Sequence, residues 1–556
     1  MLSHLQHISD LTEICFLKGI KHVVISPGSR NNPLIRSFAS NKNFLLHSIV
    51  DERSAAFYGL GLSLSTGQPV ALICTSGTAV LNYSPGLAEA YYQHIPLIAI
   101  TADRPEELID QQDNQTIRQK EVFRNFVKGS ISLNQPSELQ TENEEQNSSI
   151  DQVINLALSG IKGPVHINVP VREPLNLPIP ESSNPIIITH PESRECIIPD
   201  EFIECLDKSE KRMILCGQDI PDSKLNEFIS LFAKNGRVVI ISEPISNISS
   251  DKVYSHPDRI FAGTEIKDDP EYLPEMLISF GGHIISKNLK KWLLLHKEIK
   301  HWRVSVEDDG IDTYNNLKGR VLCKPSELFT NLPRPDLKYD ENYINKWKAL
   351  NEQRKQRHTE ILTDIPWSDL FAFRIIMENL PQGCVLHLGN SSPVRYAQLF
   401  DTNMCKGIYC NRGVSGIDGS LSTAAGFASV SEEINILITG DLSFVYDSNG
   451  LWNRNLSQNL RIIVINNQGG GIFRLISEDT EEEYFKNYVE TKNNVNIQKI
   501  AEAYGIDYYF CDNKSNLKKT FLSFLNPGKG ISLLEIRTPK LKNAEVYHEY
   551  FKKLKL

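Results

Sequence analysis

The chain has 556 residues, of which 40% are hydrophobic and 23% charged, with 32 Gly and 28 Pro. At about 150 residues per domain this is three or four cores' worth of ordinary globular sequence, which excludes disorder as the main state and any need for covalent staples. A formal net charge of -9, from 59 Lys+Arg and 68 Asp+Glu spread along the chain, argues against a nucleic-acid or anionic-membrane surface, so an anionic ligand has to be met by local basic clusters.

The opening MLSHLQHISDLTEICF lacks a basic region followed by a continuous apolar stretch, and no run of about 18 apolar residues follows it, which predicts a cytoplasmic chain without an integral membrane segment. Beyond it, HVVIS, LLHSIV, PVALIC and PLIAIT are short β-branched runs separated by helical stretches. That βαβα rhythm predicts a parallel sheet covered on both faces. The polar stretch Gln140–Ser149 reads as a solvated loop or helix, and GPVHINVPV at 163–171 as a further buried strand. Proline is then dense across Pro174–Pro191, the composition of an interdomain linker.

The middle third repeats the rhythm through RMILCG, RVVIIS, MLISFGG and HWRVSV. A second Pro- and charge-rich stretch near Lys324–Asp340 precedes a polar helix, after which VLHLGNS, IYCNRG, NILITGD, RIIVINN and SLLEIRT predict five more strands. The fold class is therefore α/β, with three doubly wound parallel-sheet domains over 1–178, 195–335 and 356–556. The ten cysteines are scattered, and the closest pair, Cys405 and Cys410, is too wide for a CxxC motif. They read as reduced core thiols, with Cys74 and Cys384 inside buried strands.

In such sheets ligands occupy the crevice beyond the carboxyl ends of the strands, and the unusual residues of this chain fall there. One strand ends in Gly440-Asp441 and the next in Asn466-Asn467, with three glycines after Gln468, and Asn467 lies 26 positions after Asp441. That is about the length needed to join neighbouring parallel strands through one helix, so the two side chains can converge. A carboxylate, an amide oxygen and a carbonyl from the glycine turn, with phosphate oxygens, make the hard oxygen shell of Mg²⁺. The GDLS turn opening a helix offers N–H groups to a diphosphate. Taken singly, the Asp is an N-cap and the Asn-rich turn only a turn; together, at this spacing, they favour the metal-diphosphate reading.

This pattern, GDx followed after some 25 residues by NN, resembles the cofactor motif of the thiamine-diphosphate-dependent enzymes. The resemblance implies that Gly440, Asp441, Leu442 and Ser443 meet the diphosphate, and that Asp441, Asn467 and the Gly469 carbonyl hold Mg²⁺ or Mn²⁺. It also gives a role to HSIVDERSAAFYGLGLS, where Glu52 follows what reads as a buried strand and opens a small-residue helix. By itself Glu52 beside Arg53 is a common helix-start arrangement. In the family such a glutamate lies against N1′ of the cofactor pyrimidine and drives loss of the C2 proton, and it serves a cofactor held by another subunit. A homodimer at minimum is implied, and the family suggests a homotetramer. The first and third domains are then the pyrimidine-binding and diphosphate-binding ones.

A third group of segments, SPGSRNNP, TSGTAVLNYSPGLAEA, ITADRPEEL, DNQTIRQ, LGNSSPVR and NRGVSGIDGSLSTAAG, supplies Arg30, Arg104, Arg118, Arg395 and Arg412 at apparent strand ends, with Lys287 from FGGHIISKNL. Guanidinium groups bind carboxylates in bidentate fashion, so the set suits polyanionic acids better than a small apolar substrate. Any one of these arginines could be a weak surface pair; five at loop positions are harder to dismiss.

Together these segments are similar, almost end to end, to the 2-succinyl-5-enolpyruvyl-6-hydroxy-3-cyclohexene-1-carboxylate synthase family of menaquinone biosynthesis. Asn31-Asn32 depart from the Ser-Thr that often follows SPGSR there. The resemblance implies decarboxylation of 2-oxoglutarate and 1,4-addition of the succinic semialdehyde carbanion to isochorismate, with no nucleic-acid partner. Carried over by residue, Ile417 is the apolar wedge that keeps the cofactor bent. Thr78, Asn82, Ser391, Ile472 and Phe473 line the cofactor, and Ser391, Arg395 and Arg412 the succinyl carboxylate. Ser29, Arg30, Arg104, Asn114, Gln115 and Lys287 form the isochorismate side. Two readings remain beside it: another thiamine-diphosphate-dependent 2-oxo-acid decarboxylase or an acetohydroxyacid synthase-like carboligase, and a non-catalytic binding protein on the same fold, against which the joint presence of Glu52, Asp441 and Asn467 speaks.

Overall fold

The computed structural model describes residues 3–188, 196–263, 266, 269–332, 337–477, 480–526 and 530–555. It contains three sheets. The first comprises β1 (His22–Ile25), β2 (Leu45–Ser48), β3 (Val70–Cys74), β4 (Leu97–Asp103), β5 (Ser130–Ser132) and β6 (Val165–Pro170), in the order β2-β1-β3-β4-β6-β5. The second has β7 (Arg212–Cys216), β8 (Val239–Ile241), β9 (Met276–Phe280), β10 (Lys300–Ser305) and β11 (Leu317–Leu322), ordered β11-β10-β9-β7-β8. The third has β12 (Val385–Leu388), β13 (Gly407–Cys410), β14 (Asn435–Gly440), β15 (Leu460–Asn466), β16 (Asp507–Cys511) and β17 (Ser532–Arg537), ordered β13-β12-β14-β15-β17-β16.

The first and third orders are the same winding, and the second is that winding with one strand fewer. Pairing is parallel, as in β1 with β3, β7 with β9 and β15 with β17. The inner strands β3, β7 and β15 are buried along their whole length because both faces are covered, which is why they read as largely apolar runs. At each point where the winding reverses, the residue after the first strand extends the ladder by donating its N–H to the third strand. Ser26 donates to the Ile73 carbonyl at 2.8 Å, Gly217 to Phe280 at 2.9 Å and Gly389 to Ile438 at 2.8 Å. These three reversal points are where such sheets open a crevice.

Every strand the sequence predicts is present, and each sheet has one more: β5, β11 and β16. LLHSIV, read as buried, is a correction: β2 is an edge strand whose residues are exposed or half-exposed, Leu45 being 54% exposed. Gln140–Ser149 forms the first half of the helix Gln140–Leu158. Pro174–Ile188 has no helix or strand, while Pro191 lies outside the described residues. The stretch Lys324–Asp340 includes a short helix, Pro325–Asn331, and Pro333 and Pro335 lie outside the described residues. Cys74 is in buried β3, but Cys384 is buried one residue ahead of β12, and the cysteines are free thiols. Among the described residues no helix is long and apolar enough to cross a membrane.

The chain divides into two compact units: Met1–Glu192 with Asn411–Asn435 and Ser443–Leu460, and Ser193–Cys410 with Ile436–Leu442 and Arg461–Leu556. In the first, the helix Glu52–Thr66 packs flush on the helix Ser420–Ala428. A Cβ on Gly61 would stand 2.0 Å from the Thr423 carbonyl oxygen, and one on Gly426 2.0 Å from that of Tyr58. The run of small residues after Glu52 is therefore a close helix–helix contact, which a single added methyl would separate. The second unit holds both other sheets.

Candidate active site

In the first unit the site residues sit beyond the reversal between β1 and β3. The loops Ser26–Arg30 and Thr75–Thr78 touch, leaving no space for a Cβ at Gly28, which would meet the Thr75 side chain at 2.4 Å. Glu52 is the first residue of its helix, capped by Asp51, whose side chain accepts from the Ser54 N–H at 3.1 Å. Asn82, the last residue of the short helix opened by Thr78, donates to the Glu52 carboxylate at 3.4 Å. Thr78, Asn82 and Ser29 are exposed and Glu52 is half-buried.

The arginines divide. Arg30 is 4% exposed, and its guanidinium donates to the Val171 carbonyl at 2.8 Å and to Glu173 at 2.9 Å. Arg104 is 8% exposed; it grips the Asn114 carbonyl through Nε and Nη2 at 3.1 and 2.7 Å and pairs with Asp113 at 2.9 Å. These two fix loops, and Asn114 takes part through its backbone. Gln115 is exposed at φ 53°. Arg118 is exposed and pairs with exposed Asp110 at 2.7 Å, a contact of the weak surface kind.

The loop Asn411–Gly419, which carries Arg412 and Ile417, belongs to the same unit. It is held by Glu89, 2% exposed, whose two oxygens accept the Gly413 and Val414 N–H groups at 2.6 and 2.8 Å. Burial raises the Glu89 carboxyl against these hydrogen bonds, which lower it. Ser443 donates to the Ile417 carbonyl at 2.8 Å, leaving the Ile417 side chain 37% exposed. Buried Asp447, pushed up to about 7 by burial, accepts from the Ser422 N–H and hydroxyl at 2.7 and 2.8 Å.

In the second unit Asp441 begins its helix directly after β14 and is 2% exposed. Burial pushes its carboxyl up to about 6, opposed by hydrogen bonds from Asn493 and from the Leu442 and Gly469 amides. The Gly469 amide therefore lies beside it. Gly469 has φ 133°, and a Cβ there would stand 2.0 Å from the Thr491 carbonyl oxygen, so only glycine fits the turn. The two asparagines divide the work. Asn466 braces the turn, donating to Glu535 at 2.8 Å and accepting the Gln468 N–H at 3.0 Å. Asn467 donates to Asp369 at 3.1 Å, and its Oδ1 is buried without a hydrogen-bond partner.

A buried amide oxygen with no donor is costly unless something else fills its lone pairs. Beside a buried carboxylate, that something is a hard cation, so the residues present fit Mg²⁺. Ile472 and Phe473 open the helix after the glycine turn, and Phe473 is 37% exposed. That helix is pinned by the buried pair of Arg474 with Glu490, to which Lys540 adds a contact at 3.1 Å. Gly440 and Leu442 are half-buried at the turn.

Ser391, at φ 75°, starts the helix carrying Arg395. Ser391, Ser415, Gln468 and Gln115 are all non-glycine residues at positive φ within the motif loops, and strain of this kind concentrates at functional sites. Lys287, exposed at the start of its helix, has a lowered pKa, from burial first and then from the positive charges of Arg395 and Lys291. Lys287 and Arg395 are thus brought together. Arg395 and Arg412 fall in different compact units, as do Asp441 and Glu52. Sequence reasoning passed over Glu89, Gln119, Asp369, Asp447 and Asn493. Of these, Glu89 and Gln119 lay inside quoted segments, TSGTAVLNYSPGLAEA and DNQTIRQ; Gln119 accepts the Gly77 N–H at 2.9 Å while donating to the Ala102 carbonyl at 3.0 Å.

Three family descriptions match the chain: "Thiamine pyrophosphate enzyme, N-terminal TPP binding domain" over residues 10–122, "Middle domain of thiamine pyrophosphate" over 183–388, and "Thiamine pyrophosphate enzyme, C-terminal TPP binding domain" over 389–536. Curated relatives named 2-succinyl-5-enolpyruvyl-6-hydroxy-3-cyclohexene-1-carboxylate synthase are similar over nearly the full length. The one from Flavobacterium johnsoniae is 39% identical over 98% of both chains. Those from Christiangramia forsetii and Porphyromonas gingivalis are 40% and 38% identical, covering 98% of this chain and 98% and 96% of their own. The thiamine-diphosphate domains, the reversal-point crevices and the asparagine oxygen left for a cation agree with one another, and the chain belongs to the 2-succinyl-5-enolpyruvyl-6-hydroxy-3-cyclohexene-1-carboxylate synthase family of thiamine-diphosphate-dependent enzymes.

Proposed function

We propose that this chain decarboxylates 2-oxoglutarate and adds the four-carbon remainder to isochorismate in a 1,4 fashion, releasing CO2 and forming 2-succinyl-5-enolpyruvyl-6-hydroxy-3-cyclohexene-1-carboxylate in menaquinone biosynthesis. The observation that carries the reading is the buried, partnerless Asn467 oxygen beside Asp441 in a chain of this family. When bound, thiamine diphosphate supplies the nucleophilic carbon and the electron sink for decarboxylation.

The chain's own residues bind, orient and neutralise. Asp441, Asn467 and the Gly469 carbonyl hold Mg²⁺ or Mn²⁺, and Gly440, Leu442 and Ser443 meet the diphosphate. Glu52 holds a proton at N1′, with Thr78 and Asn82 beside it. Ile417, Ile472 and Phe473 would give the cofactor apolar support, Ile417 as the wedge against it. Ser391, Arg395 and Arg412 receive the succinyl carboxylate, the two guanidinium groups offsetting its charge. Ser29, Gln115 and Lys287 face isochorismate, while Arg30 and Arg104, tied to Val171 and to Asn114, set the loops around it. Glu52 of one subunit serves the cofactor carried by another, so the active form is a cytoplasmic homodimer at minimum, within a homotetramer.

Incubation with isochorismate, 2-oxoglutarate, thiamine diphosphate and Mg²⁺, read by product mass, tests the reading. The adduct is expected with 2-oxoglutarate and not with pyruvate. Equal CO2 release from pyruvate, or tight cofactor binding without turnover, contradicts it.

A further inference from the structure

Of the groups in the second unit that touch no proposed ligand yet sit beside one, Asp369 is the most heavily constrained. It is 2% exposed at the first position of the helix Asp369–Glu378, capped by Ser368. Its Oδ1 accepts the Thr538 hydroxyl at 2.5 Å, its Oδ2 accepts Asn467 Nδ2 at 3.1 Å, and its N–H donates to Asn543 Oδ1 at 2.9 Å. Asn543 in turn donates to the Thr538 hydroxyl at 3.1 Å. The donors and acceptors of this network face one another in one sense only.

An asparagine amide is nearly symmetrical in shape but not in chemistry: one end can ligate a cation and the other cannot. A carboxylate oxygen only accepts, so the end of Asn467 facing Asp369 must be the NH2 group. That leaves Oδ1 at the opposite end, where it is buried without a hydrogen-bond partner. The turn leaves no competing side chain, because a Cβ on Gly471 would stand 2.8 Å from Asn467 Nδ2.

We propose that Asp369 is a positioning residue that locks the Asn467 amide with its oxygen turned toward the divalent cation. The proposal rests on the metal site described above. It requires no contact between Asp369 and the metal: the carboxylate acts through the amide, and Thr538 and Asn543 act through the carboxylate. Groups that orient metal ligands in this way typically change metal affinity about 10- to 100-fold when removed.

The test is Mn²⁺ binding by the full chain with saturating thiamine diphosphate, counting free Mn²⁺ by electron paramagnetic resonance, a readout independent of turnover. Asp369→Ala is expected to weaken Mn²⁺ binding at least about tenfold. Asp369→Asn, whose amide oxygen can still accept from Asn467 while its NH2 faces the Thr538 hydroxyl, is expected to bind within about threefold of the parent, since the lost partner is restored. A purely structural role instead lowers unfolding midpoints and leaves the affinity of the folded fraction alone. Should Asp369→Ala not fold, Asp369→Ser carries the same expectation, its hydroxyl being too short to reach the amide. Folded Ala or Ser variants with parental Mn²⁺ affinity overturn the proposal. Asp441→Ala separates the two readings: loss of Mn²⁺ binding there, with normal binding in the Asp369 variants, removes the positioning role alone, whereas undiminished binding in Asp441→Ala removes the metal site and the positioning role with it.

Discussion

Glu89 gives the sharpest prediction about how the loop Asn411–Gly419 is held. Its carboxylate accepts the Gly413 and Val414 N–H groups at 2.6 and 2.8 Å and the Gln93 amide at 2.5 Å, while almost wholly buried. Glu89→Gln keeps the shape but turns one oxygen into an NH2 group, so that one of the two loop N–H groups faces a donor. A buried donor left without an acceptor costs about 1–3 kcal/mol. Taking about 2 kcal/mol, the unit containing Glu89 should lose about 4–8 °C in its unfolding midpoint. Because that loop carries Arg412 and Ile417, kcat should fall along with stability, at temperatures where the protein is fully folded. Calorimetry with steady-state rates at 20 °C, a temperature chosen well below the transition, checks both. A variant with an unchanged midpoint and unchanged kcat refutes the reasoning, since it means the two hydrogen bonds hold nothing.

Arg395→Ala should raise KM for 2-oxoglutarate far more than it weakens cofactor binding, on the order of 2 kcal/mol or a thirtyfold change for a lost charge-assisted pair; equal losses in a cofactor titration and in KM undo the pocket assignment. Acid stability should follow the buried histidines. His7 and His166 are wholly buried and lowered by burial to about 4 and about 3. A depressed folded-state value contributes stability that is present above the unfolded value near 6.5 and lost as pH falls toward the folded one. Each should therefore cost about 2 kcal/mol between pH 7 and pH 5. His166→Gln should flatten the acid arm of a denaturation–pH curve, and an unchanged slope counts against the assignment.

The sequence showed what burial on both faces imposes and missed what only an edge or a partner imposes. β3, β4, β14 and β15 are inner strands with runs of apolar residues at their centres. The three strands it did not show, β5, β11 and β16, each lie at the edge of a sheet; SIS is too short, and LKGRVL and DYYFC too mixed, to mark a buried strand. The same asymmetry made β2 look buried. At the proposed metal site, Asp441, Asn467 and Gly469 stand out in the sequence because a metal-diphosphate site needs those types at strand ends of fixed spacing. Glu89 and Asp369 do not. One lies within the helix Ser84–Gln93 and the other begins a helix, where an acidic residue ordinarily faces water or caps a turn. Only the fold shows that they are buried and that backbone or amide donors meet them. For Arg118 a motif arginine and a surface arginine look alike in sequence, and the pairing with Asp110 shows only in the fold.

In the proposed reaction Glu52 activates a cofactor held by Asp441 and Asn467. Proton exchange at C2 of bound thiamine diphosphate, followed by quenched-flow NMR in the parent and in Glu52→Gln, tests it most directly. The variant is expected to retain the cofactor while exchange slows by about 10²- to 10⁴-fold, the usual contribution of positioned proton transfer. Exchange at the parental rate in a cofactor-loaded variant would contradict it.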